Sequence, residues 1–342
     1  MIMKPVCRVK DKMSLLTERT NYKPFDYPFA FDAFKIQNQM AWLPEEVPLH
    51  DDVTDWNHKL SEEEKNLLTQ IFRFFTQGDV DIAQGYLDKF IPVFKPPEVR
   101  MMLTAFAAME STHVHAYSLL LDTIGMPESE YLAFSKYSEM ASKHDYFADF
   151  STQRGEKTEI EWKQGIAKTL ATYSAFGEGL QLFSSFVILL NFSRFNKMKG
   201  MSQIVTWSIR DESLHVESMI KLFRKFAEEN PEVVTDRFKA DIYDICREMV
   251  RLEDGFIDLA FEQGGIEGLT ADEVKQYIRY VADRRLISLG LRGNYNVRDN
   301  PLPWLDWLLN GVEHTNFFEN RATEYAKGTM QGSWAEVWGN DV

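Results

Sequence analysis

The sequence predicts an all-α protein, a bundle of long helices with additional helices around it, and three observations carry that prediction. Aromatic content is high, with 25 Phe, 13 Tyr and 8 Trp in 342 residues, whereas 18 Gly and 12 Pro are too few to punctuate a strand-and-turn architecture of this length. Apolar residues recur at helical spacing over long stretches. Ser61 with Glu64, and Thr270 with Glu273, have the spacing at which a hydroxyl and a carboxylate satisfy each other's free N–H groups at a helix start.

Taken in order, residues 1 to about 40 lack clear periodicity and carry Pro24 and Pro28, so the chain is expected to open with an extended arm. Trp42-Leu43-Pro44 begins a loop, and the acidic stretch Asp55-Trp-Asn-His58 is expected to be a solvated turn. The first long helix follows Ser61 and runs to about Phe90, before Pro92, Pro96 and Pro97 break the pattern. A second runs from Pro97, a favourable first-turn proline, to Ile124, with Gly125 as its stop.

A third is predicted over roughly 128–153, a fourth over 159–191 and a fifth over 200–229, where Asn230-Pro231 ends it. Further helices fit 232–263 and 271–291. No low-complexity linker divides them, so the reading is one domain over residues 1–342. Residues 328–342, with Gly328, Gly332, Trp334, Trp338 and Gly339, read as a flexible tail with aromatic anchors.

Charge narrows the function classes. The net charge of -14 repels nucleic-acid phosphates and anionic membrane surfaces, so neither is expected as a partner. Only Cys7 and Cys246 are present, too few for a disulfide framework or a cysteine metal motif, and a reducing cytoplasm is expected. Met1 to Met13 has no apolar segment of the secretion-signal kind. The strongest apolar run, Leu182 to Phe192, is too short to span a bilayer and reads as a helix buried in protein.

The chemistry lies in a repeated motif. Glu110-Ser-Thr-His113 and Glu212-Ser-Leu-His215 are the two Glu-x-x-His sequences of the chain, and on a helix each points a carboxylate and an imidazole the same way. Glu110 shares its stripe with Leu103, Phe106, Ala107, Val114 and Tyr117, and Glu212 with Val205, Ile209, Val216 and Met219. Both therefore face a core. A buried ionised carboxylate must meet something cationic or take up a proton.

The same test applied to the preceding helices finds two more carboxylates. Asp79 continues the apolar stripe of Phe72, Phe75, Ile82 and Tyr86, whereas Asp81 continues the polar one of Gln77, Gln84 and Asp88. Glu178 lies between Gly177 and Gly179 in a run otherwise made of apolar residues. Asp79 precedes Glu110 by 31 residues and Glu178 precedes Glu212 by 34, which suits two antiparallel helix pairs with their ligands at one level and a second turn near 192–199. The helix pair is thus a weak internal duplication.

Four carboxylates and two imidazoles from four helices form the dimetal pattern of ferritin-like bundles, with Asp79 in place of one Glu. Four negative charges balance two divalent ions, and such donors suit iron or manganese rather than a thiolate-preferring metal. His115, two residues from His113, points to the other side of its helix and is not expected to be a ligand.

Around these residues the chain resembles the small, radical-generating subunit of class I ribonucleotide reductase, over roughly residues 20 to 328. The matching text is Ala108-Met-Glu-Ser-Thr-His-Val-His-Ala-Tyr117, Glu178-Gly-Leu-Gln-Leu-Phe183, Trp207-Ser-Ile-Arg-Asp-Glu-Ser-Leu-His215 and Asn316-Phe-Phe-Glu319. The resemblance implies that Asp79, Glu110 and His113 bind one metal and that Glu178, Glu212 and His215 bind the other. It implies that O2 is activated there, with iron the first expectation and manganese or a mixed pair accepted by the same ligands.

By the same resemblance Tyr117 carries the radical, and its place four residues after His113 on one face agrees. Trp42 and Asp211 match an electron route to the surface, in which Asp211 would orient His113 and Trp42 would supply an electron. The oxidising equivalent would pass to a large catalytic subunit, held through the C-terminal tail, which reduces ribonucleoside diphosphates to deoxyribonucleotides; the small subunit would be a homodimer. The tail departs from the family pattern, since no Tyr follows Tyr325. Two other readings share the bundle: a different O2-using dimetal oxidase or desaturase, which needs a substrate channel beside the metals, and ferritin-like iron storage, which has no use for the helices after Glu229.

Overall fold

Paired hydroxyls and carboxylates start several of the long helices. In the computed structural model, which describes residues 14–19, 21–306 and 308, the Ser61 side chain accepts the Glu64 N–H while the Glu64 carboxylate accepts the Ser61 N–H. Thr158 with Glu161 and Thr270 with Glu273 repeat the arrangement. Each such cap satisfies backbone donors that have no partner inside the helix, and loss of one typically costs about 1 kcal/mol. Gly125, at φ 78°, ends the second long helix in a left-handed conformation that glycine adopts without steric cost.

The described residues contain α1 (Pro28–Gln39), α2 (His50–His58), α3 (Glu62–Gln84), α4 (Pro97–Ile124), α5 (Ser138–Ala148), α6 (Glu159–Leu170), α7 (Leu182–Arg194), α8 (Lys199–Glu229), α9 (Asp236–Ala260) and α10 (Ala271–Ser288), and no strand. A π-helical turn, Gly85–Phe90, extends α3, and a longer π segment, Ala171–Gln181, joins α6 to α7. The four-helix core pairs α3 with α4, and the 171–181 segment and α7 with α8. The sharp turn between α7 and α8 falls at 195–198, within the predicted window. The continuous helical stretch Glu159–Arg194 is long and apolar enough to cross a bilayer, but its apolar window is wholly buried inside the protein.

Three sequence expectations are corrected. Residues 28–39 are helical rather than extended, because Pro28 at the first turn is compatible with a helix and Ala30, Ala33 and Gln37 form a short buried stripe. That helix lies on α4 and α8. The stretch containing Asp55 and His58 is helix α2, not a solvated turn: Asp52 and Asp55 are buried, accept the Gly200, Met201 and Met198 N–H groups at 2.8 Å, and so cap the start of α8.

The helix expected over 128–153 is only α5, preceded by 3-10 turns. Met140, Lys143 and Phe147 give α5 a buried face at helical spacing, whereas Leu132 upstream is 73% exposed and anchors nothing. Of the described residues, those up to 301 form one compact unit that holds α1 to α10, and 302–306 and 308 belong to a second, where they make a helical turn from Pro303. The expected tail at 328–342 lies outside the described residues.

Candidate metal centre

Four elements bring the candidate ligands to one place. Asp79 comes from α3, Glu110 and His113 from α4, Glu178 from the π segment, and Glu212 and His215 from α8. All six are at most 2% exposed. Ligand atoms of Glu110, Glu178, Glu212 and His215 lie within 4.8 Å of one another. His113 joins them, its Nδ1 being 3.3 Å from both Glu110 Oε2 and Glu212 Oε1. Asp79 is buried close enough for its carboxyl to feel the charges of His113, Glu110, Glu212 and Glu178.

The two imidazoles are oriented alike. His113 Nε2 lies 3.3 Å from Asp211 Oδ2, and His215 Nε2 lies 2.9 Å from Gln37 Oε1. With Nε2–H donated outward, each Nδ1 faces the carboxylates. The sequence reading missed Gln37 because its helix was read as an arm; the stripe of Ala30, Ala33 and Gln37 was the available signal. It also gave no role to Tyr86, whose phenol donates to Glu178 Oε1 at 2.6 Å.

Charge is the difficulty such a site must resolve. Burial raises Asp79 well above the usual carboxylate range and pushes Glu178 up to about 8 against the pull of His215. Burial alone would raise Glu110 as well, but the neighbouring imidazoles outweigh it and hold that carboxyl at about 2. Burial disfavours imidazolium, yet the surrounding carboxylates keep both His113 and His215 well above the ordinary imidazole value. The groups thus share protons to hold their charge down.

Hydrogen bonding leaves the cluster incomplete. Asp79 Oδ2, Glu110 Oε1, both Glu212 oxygens and His215 Nδ1 are buried without a hydrogen-bond partner. Glu110 Oε1 and His215 Nδ1 are 2.9 Å apart but at an angle that makes no bond. Unpartnered buried donors and acceptors of this kind cost about 1–3 kcal/mol each. Divalent cations would satisfy these atoms and balance four carboxylates, and the mixed carboxylate and imidazole set fits iron or manganese.

The remaining sequence candidates surround this cluster. Tyr117 is buried, stacks on Phe75 at 4.5 Å between centroids, and donates to Ser208 Oγ at 3.4 Å; burial raises its phenol well above the usual value. Trp42 Nε1 donates to Asp211 Oδ2 at 2.8 Å, the same oxygen that His113 Nε2 approaches. The rings of Trp42 and His113 are 6.2 Å apart, and Trp42 also lies 5.1 Å from Trp207. His115 is outside the cluster, half exposed beside Glu45.

Comparison with known proteins shows the family of the chain. The family model for the ribonucleotide reductase small chain matches residues 19–301. The probable ribonucleoside-diphosphate reductase small subunit of Invertebrate iridescent virus 6 is 45% identical, over 95% of this chain and 99% of its own length. The ribonucleoside-diphosphate reductase subunit beta of Chlamydia pneumoniae is 31% identical, over 88% of each. The fold matches the ribonucleotide reductase R2 subunit from Clostridium botulinum with a TM-score of 0.79 at 21% identity, over 90% of this chain and 99% of that one. With a ferritin-like helical core and a buried carboxylate and histidine cluster, the chain belongs to the ribonucleotide reductase small-chain family and is a subunit of an oxidoreductase.

Proposed function

We propose that Asp79, Glu110 and His113 hold one divalent ion and Glu178, Glu212 and His215 a second, and that the site serves to oxidise Tyr117. The observation that carries this reading is the common aim of two imidazole Nδ1 atoms and the carboxylates of Glu110, Glu178 and Glu212 within one dry cluster. When bound, a redox-active pair of ions, iron or manganese, supplies the one-electron oxidising power with O2 as its source.

The protein's own groups set where that power goes. Tyr117 would give one electron to the bound ions and, in the same step, its phenolic proton to the cluster on the side of the Asp79 carboxylate, because burial makes the phenolate inaccessible at neutral pH and the charged phenol radical would be still less tolerated in the apolar surroundings. Its ring is held against Phe75 and away from water, which protects a neutral radical from quenching. Trp42, Asp211 and His113 form a hydrogen-bonded route for electrons between the surface side of α4 and α8 and the site, with Asp211 positioning both rings.

As a small subunit, the chain works with a large subunit; we place the reduction of ribonucleoside diphosphates on that partner. The C-terminal tail is proposed as its tether and falls outside the described residues. A homodimer acting in the cytoplasm completes the reading. Reconstitution with Fe(II) and O2, or with Mn(II) and an oxidant, is expected to give a tyrosyl electron paramagnetic resonance signal that Tyr117→Phe abolishes. The same signal in Tyr117→Phe would exclude Tyr117 as its bearer.

A further inference from the structure

We infer that Tyr86 is a positioning residue that orients Glu178 toward the second metal position, a role that rests on the dimetal reading above. The Tyr86 hydroxyl donates to Glu178 Oε1 at 2.6 Å, and both residues are 1% exposed. Once Glu178 gives up its proton to an incoming cation, a hydrogen bond that short in a dry site is among the stronger neutral-to-charged kinds. The other group near this oxygen, His215 Nδ1, is farther away at 3.5 Å.

Glu178 differs from the other candidate carboxylates in being held by a group outside the ligand set, whereas Glu110 Oε2 meets the candidate ligand His113. Both Glu212 oxygens, Glu110 Oε1 and Asp79 Oδ2 have no hydrogen-bond partner and are free to face cations. Glu178 instead has Oε1 committed to a phenol, which biases ligation toward Oε2. A carboxylate held in that way favours single-oxygen ligation over a chelating mode. It also needs holding, because Gly177 and Gly179 flank it and offer no side chain to limit its swing.

The two π-helical segments exist at the point where this contact is made. Tyr86 is the second residue of Gly85–Phe90, and Glu178 lies within Ala171–Gln181. Widening the helix to i→i+5 bonding re-aims the side chains that follow, which is why such segments recur at functional sites. Their approach depends on Gly85: a Cβ there would lie 2.6 Å from two ring carbons of Tyr173, too close for any real contact. The Tyr86 ring is then fixed edge-on by Phe90 and Phe106 at 6.0 Å and His215 at 6.2 Å.

The competing account is a core tyrosine whose hydroxyl has merely found an acceptor. Anaerobic titration of the full-length protein with Co(II), read by stepwise affinity and by visible d–d bands, separates the two accounts without any turnover. In Tyr86→Phe, which keeps the ring, the first ion is expected to bind as in wild type. The second is expected to bind about 10-fold or more weakly, with shifted d–d bands. Gly85→Ala, which forces the segments apart, is expected to weaken the same step.

Wild-type affinity for the second ion together with unchanged bands in Tyr86→Phe overturns the positioning role, even if the melting temperature falls. Fewer than two Co(II) ions bound by wild type itself overturns the dimetal reading and this role with it.

Discussion

Glu110 sits at the centre of the cluster, contacting both imidazoles, and His215 lies against three carboxylates. Glu110→Ala or His215→Ala is therefore expected to lose at least one metal ion per chain, measured by elemental analysis of the reconstituted protein. Retention of two ions at full occupancy in each variant would refute the ligand assignment. Loading must also displace protons. Asp79, Glu178, His113 and His215 all have raised pKa values, so at neutral pH they hold protons that an incoming cation must release. Affinity is accordingly expected to rise with pH and to fall as pH drops below about 8, the value for Glu178. Calorimetry in two buffers of different ionisation enthalpy measures the released protons, and none released would contradict this account.

At the scale of the element, α2 does what its sequence conceals. Its acidic residues look solvated in isolation, yet Asp52 accepts two N–H groups at the start of α8 and Asp55 accepts a third. α8 carries Glu212 and His215, and Met198 before it has a left-handed φ of 52°, so its start is held by another element rather than by its own cap. Asp52→Ala is expected to destabilise the fold by about 1–2 kcal/mol, read from urea unfolding. A change near zero would mean that the α8 terminus finds other acceptors. The long helices α3, α4, α8, α9 and α10 were legible to within a few residues, because cap residues, prolines and apolar period coincide. α1, α2 and the break before α5 were not, because their burial depends on neighbours remote in sequence.

For the molecule as a whole, the outer helices are tied to the core by a buried ion pair. Lys143 of α5 meets Glu253 of α9 at 2.7 Å with both side chains fully buried, and Lys143 Nζ lies 3.6 Å from the centre of the Phe74 ring on α3. Ser184 of α7 donates to the same Glu253 carboxylate. Burial pulls Lys143 down and pushes Glu253 up, so each carries its charge at the expense of solvation and depends on the other. Lys143→Met is expected to cost about 3–5 kcal/mol, and the double variant with Glu253→Leu to recover most of it, by equilibrium unfolding. Destabilisation of the double variant by the sum of the two single effects would show that the pair is not coupled.

The sequence alone determined the helical class, the core helix pairs and the six candidate ligands. Local rules suffice for these: residues three or four apart share a helix face, and a carboxylate on an apolar face must be buried. Tertiary structure alone decided what lies beside the ligands. Gln37 reaches His215 across 178 residues, Trp42 reaches Asp211 across 169, and Tyr86 reaches Glu178 across 92. No periodicity encodes such contacts, because hydrogen-bond partners are set by how helices cross and by which small residue, as at Gly85, lets a neighbouring ring pack against the helix.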